Sequence, residues 1–93
     1  MHVATLRLAI RIRDCRVARV KRRRIRAILE KLHKHFNVSV AEVDGHSHPS
    51  ESIVAAAAIA EGRREAREPL ERIIDALAVH PRVELLDHAL IEV

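Results

Sequence analysis

Aromatic side chains are almost missing from this sequence: Phe36 stands alone, with no Trp and no Tyr. Any core must therefore be assembled from Val, Ile, Leu and Ala. Cysteine is as scarce. The single Cys15 excludes an internal disulfide and fits a reducing compartment. With only Gly45 and Gly62, the chain has no phosphate-binding glycine loop, no G-x-S-x-G elbow and no dinucleotide fingerprint. Long apolar runs are absent too; nothing approaches the roughly 18 residues of a membrane span. The opening "MHVATLRLAIRIR" alternates, so it predicts a strand and not a secretory signal. Together these absences point to a soluble, cytoplasmic protein without a cofactor or an evident small-molecule ligand. They offer no support for an enzyme.

What is present is charge, unevenly placed. The 93 residues suit one domain, 1–93, that is 48% hydrophobic and 32% charged, which is globular and not disordered. Between Arg7 and Lys34, twelve Lys/Arg stand against Asp14 and Glu30, a balance of +10. Five Arg stand against eleven acids elsewhere, a balance of −6 that returns the net +4. A basic pole and an acidic pole follow, free to attract a partner or each other.

Periodicity assigns the elements. From Val3 to Arg13, Leu6, Leu8, Ile10 and Ile12 alternate with polar or small residues, which is a half-buried strand. Asp14 offers an N-cap, and Val17, Lys21, Ile25, Ile28, Leu29, Leu32 and Phe36 then form a helical stripe. Asn37 to Val43 reads as a second strand, with a phase shift near Ala41 that hints at a bulge. "DGHSHPSES" is a loop. The alanine run after it favours helix on propensity but is short and bounded by Pro49 and Gly62. Arg63 to Val79 carries a second helical stripe through Ala66, Leu70, Ile73, Ile74 and Leu77. Pro69 either kinks that helix or marks its first turn. A Val/Leu/Ile-rich strand closes the chain. If the alanine run is a strand, the order is βαββαβ, and right-handed crossovers put both helices on one face of a four-stranded antiparallel sheet. Topology therefore tips the run toward strand, giving an α+β, ferredoxin-like fold.

Four stretches, "LRLAIRIR", "KRRRIRAILEKL", "FNVSVAEVD" and "RVELLDHALIEV", together with Arg63–Arg64, resemble the YlxP-like family of small uncharacterised bacterial proteins. The resemblance spans nearly the whole chain and implies the same ferredoxin-like fold. Genes of that family often neighbour those of translation initiation and ribosome maturation factors, which implies a ribosomal or RNA context by association only. Two departures stand out. The family's Ser-Leu-Lys-Glu-Lys-Arg opening of the first helix reads here Val17, Ala18, Arg19, Val20, Lys21, Arg22, and the loop after the second strand has no Trp.

Several residues are candidates for a site. On the first helix Arg16, Arg19, Arg23, Arg26 and Lys34 lie opposite the apolar stripe, with Arg22 on its flank. They form either a solvated face or a surface for a polyanion. Cations in the first turns oppose the helix dipole, by about 0.3–1 kcal/mol each near the end, whereas clustered Arg beside free backbone N–H groups suits phosphate. Lys21 falls inside the apolar stripe. Snorkelling to water is the expected account; the alternative aims its ammonium at an anion, Glu42 or Asp44. Arg7, Arg11 and Arg13 should project from the bare sheet face. Without spare aromatics they offer phosphate contacts and not base stacking, or else that face pairs with another subunit. His46 and His48 form H-x-H near Glu51, but zinc needs three or four ligands at defined spacing, and no metal site is expected. Cys15 has Arg neighbours but no His–Asp partnership, and a buried role is expected.

Expected function is therefore a non-enzymatic RNA- or ribosome-associated factor. It would use Arg16, Arg19, Lys21, Arg22, Arg23 and Arg26 on phosphates, with Arg7 and Arg11 as a second patch. The alternative is a homodimer or protein–protein module built on the open sheet face. An enzyme using Lys21 with a loop His or carboxylate comes third.

Overall fold

The computed structural model describes residues 1–93. Its elements are β1 (His2–Ile12), α1 (Ala18–His35), β2 (Ser39–Asp44), β3 (Glu51–Ala60), α2 (Arg63–Ala78) and β4 (Val83–Glu92). The strands form one antiparallel sheet in the order β2-β3-β1-β4. This is the ferredoxin-like α+β arrangement. The alanine run is a strand: Ala55 to Ala60 continue the β1 pairing, where Leu6 faces Ala56 and Ala4 faces Ala58. Helix propensity loses there because ten residues of ladder, with Ala56 and Ala58 buried, outweigh a few tenths of a kcal/mol per alanine.

Alternation on β1 divides the sheet into two faces. Ala4, Leu6, Leu8, Ile10 and Ile12 are buried with Val54, Ala56 and Ala58 of β3, and with Ile25 and Leu32 of α1 and Ala66, Leu70, Ile73 and Leu77 of α2. The core is aliphatic. Phe36 only flanks it, half-buried at the end of α1, and Cys15 is buried within it.

Three local expectations need correction. Asp14 does not cap α1; it sits in a turn at φ 52°, a left-handed conformation that Asp tolerates. The cap position is Val17, whose side chain has no donor or acceptor, and the first turn contains no acid. The shift of phase in β2 comes later than Ala41, between Glu42 and Asp44, which throws Val43 outward. Pro69 does not mark the first turn: α2 starts at Arg63 and runs through it to Ala78.

Candidate polyanion surface and the buried lysine

Residues that oppose the buried stripe of α1 make up its outer face. Arg19, Arg22, Arg23 and Arg26 line a shallow depression on that face with no other residue type in its walls. None of these four, nor Arg16, takes part in any ion pair of the fold. The acids are used elsewhere. Glu68 and Glu71 pair with Arg72 and Arg67 one turn along α2, and Glu92 pairs with Arg63 and Arg67. Those two arginines, Arg63 first, hold the Glu92 carboxyl below its usual range. These acids are held by arginines of α2, and no carboxylate of the fold pairs with the outer arginines of α1.

Lys21 departs from expectation. It does not snorkel: the residue is fully buried. Its Nζ donates to the carbonyls of Gly45 at 2.5 Å and Glu51 at 2.9 Å, with Glu42 Oε2 at 3.5 Å and the His46 carbonyl at 3.4 Å. An ammonium has three N–H groups, and this cage uses all of them. The Ser52 hydroxyl donates to Glu42 Oε2 and lies 3.1 Å from the Asp44 carbonyl. The result is a closed polar plug that ties α1 to the β2–β3 loop. Gly45 is required there: its φ is +78°, and a Cβ would meet Ser52 Cα at 3.1 Å. Lys21 therefore leaves the set of residues able to reach a phosphate.

Arg11 leaves it as well. Its guanidinium bridges Glu84 at 2.9 Å and Glu51 at 3.2 Å across three strands, and both carboxylates raise its pKa. Arg7, four residues earlier on the same face, has no ion pair. Its neighbours in register are Ala55 and Ala89. Around it the uncovered sheet face is apolar, with Ile59 and Ile91 each about 60% exposed. Arg13 also has no ion pair, and its carbonyl accepts from Arg24. The proposed second patch reduces to Arg7.

The loop histidines have structural partners. His48 Nδ1 accepts from the backbone N–H groups of Ser50 and Glu51, at 3.1 and 2.8 Å, which leaves Nε2 facing Glu51 at 3.9 Å. His46 Nε2 lies 4.0 Å from Glu42. Sequence reasoning named Glu42 as a target for Lys21 but missed Ser52 and the carbonyl cage. A signal was there: Ser52 and Glu42 both fall on core-phase positions of strands whose other core-phase residues are Val and Ala.

A ferredoxin-like domain whose first helix carries an outer face of arginines without ion pairs is the class that fold and site define. The chain belongs to a family described as "Protein of unknown function (DUF503)", which it matches over residues 3–90. No curated protein matches it. No helix is long and apolar enough to cross a membrane.

Proposed function

We propose that the protein is a non-enzymatic, cytoplasmic RNA- or ribosome-associated factor that grips phosphate backbone with the outer face of α1. The observation that carries this is the set of five arginines, Arg16 just before α1 and Arg19, Arg22, Arg23 and Arg26 on it, without one intramolecular carboxylate partner. Their repulsion, at the end of a helix whose dipole also opposes them, is relieved by an anion. The resemblance to YlxP-like proteins, and through it the translation context, favours RNA among polyanions. Contacts of this kind bring affinity with little sequence preference. Fluorescence anisotropy with a single-stranded RNA in dilute buffer tests it. Charge reversal at Arg19→Glu, Arg22→Glu and Arg23→Glu should abolish binding while the fold persists. An unmodified protein that ignores RNA at low salt overturns it.

A second role, compatible with the first, is homodimerisation through the open sheet face. The exposed Ile59 and Ile91 favour it. So does charge: Arg7 and Asp87, on neighbouring strands of that face, lack ion pairs, and a two-fold packing can set each against the other in a second copy. Sedimentation should give a concentration-dependent mass that Ile59→Lys returns to the monomer value. A monomer at all concentrations rejects this assembly.

A further inference from the structure

A second cationic feature lies away from the outer arginines, where α1 meets the turn between α2 and β4. A cleft of about 200 Å³ has Ile12, Ala27 and Ile28 in its apolar walls and Arg24, Lys31, His80 and Arg82 around them. No carboxylate lines it, and none of the three permanent cations takes part in an ion pair. The turn that carries two of the four polar groups is held in place. The His80 backbone N–H donates to the Leu77 carbonyl, and the His80 carbonyl accepts from Val83. Pro81 restricts the residue between His80 and Arg82. His80 Nδ1 accepts the Arg82 backbone N–H at 3.0 Å, so in the neutral ring Nε2 bears the proton and is a donor. Arg24 is steadied by its hydrogen bond to the Arg13 carbonyl, 3.4 Å away.

Three like charges gathered over an apolar floor repel one another and lack a counter-charge within the fold. Their number selects the ligand: a carboxylate supplies one negative charge, whereas a phosphate monoester supplies up to two and has three acceptor oxygens. We propose that this cleft is a phosphate-monoester site. Arg24, Lys31, Arg82 and the His80 Nε2–H would hold the phosphate, and Ile12, Ala27 and Ile28 would seat the adjoining carbon body. Burial first, then Lys31 and Arg82, hold His80 below its ordinary value. A bound dianion reverses the electrostatic part of that effect and makes His80 a reporter. The site shares no side chain with the outer face of α1, so each can fail without the other.

The test is NMR on the full chain at neutral pH, titrating inorganic phosphate and then a nucleoside 5′-monophosphate, with chloride at matched ionic strength as control. Saturable shifts at His80, Arg82 and Val83, with a rise in the His80 pKa, are expected for both phosphates and not for chloride. Lys31→Gln with Arg82→Gln, both exposed positions, should weaken binding about tenfold. The triple Arg19→Gln, Arg22→Gln, Arg23→Gln variant should stay within about twofold of wild type. Comparing 5′-phosphorylated with 5′-hydroxyl RNA of one sequence then separates the sources. A preference for the phosphorylated strand assigns a strand end, and equal binding with the free monophosphate retained assigns a small molecule. The proposal is overturned if phosphate moves these signals no more than chloride does, or if the outer-face variant loses phosphate as severely as the cleft variant.

Discussion

At the scale of residues, the fold turns on a lysine in the core. Lys21 lies in the helical stripe between Val17 and Ile25, where an apolar side chain is the norm, yet it is fully buried and satisfied by carbonyls of the β2–β3 loop and by Glu42. Removing one member of such a buried pair strands the other. Lys21→Met should therefore cost about 3–5 kcal/mol in a denaturant titration. Adding Glu42→Gln should recover more than about 1 kcal/mol, but not all, because the loop carbonyls stay unsatisfied. A loss below about 1 kcal/mol for the single change contradicts the cage as a source of stability. The position was legible in the sequence as an anomaly, a cation at a core phase. Its partners were not, because the cage consists mainly of backbone carbonyls, which have no sequence signature, and depends on the φ of Gly45.

At the scale of elements, α1 begins poorly by the standards of stability. Val17 gives no cap and the first turn has no acid, so Ala18, Arg19 and Val20 keep backbone N–H groups without helical partners beside Arg19 and Arg22. If that end is tuned for an anion, improving the helix should harm binding. Val17→Asp should stabilise the fold by about 1 kcal/mol in chemical denaturation and weaken RNA affinity in the same preparation. Gains in both quantities contradict the role assigned to this end. Strand and helix identities were readable from period two and period 3.6. The alanine run was not, since its side chains carry no periodicity; only the demand for a covered four-stranded sheet resolved it. The cap was misread for a related reason. Asp14 is the right residue type, but three more residues are needed to carry the chain from the end of β1 to α1, and Asp14 is spent on the turn.

For the molecule as a whole, charge is sorted by where its partners are. The arginines Arg63, Arg67 and Arg72 of α2 are paired with Glu68, Glu71 and Glu92, and Arg11 with Glu51 and Glu84. Those of α1 and the neighbouring cleft are left over. The imbalance between the halves of the chain was plain in the sequence. That the outer arginines of α1 escape pairing was not, because it depends on which side chains the fold brings within reach. Counterion release measures this surplus directly. With about five phosphates neutralised by single-stranded RNA contacts, the logarithm of the binding constant should fall against the logarithm of salt with a slope of about −3.5. Each Arg→Gln change among Arg19, Arg22, Arg23 and Arg26 should flatten it by about 0.7. A slope near zero, or one that these substitutions leave unaltered, contradicts the assignment of α1 as the phosphate-binding surface.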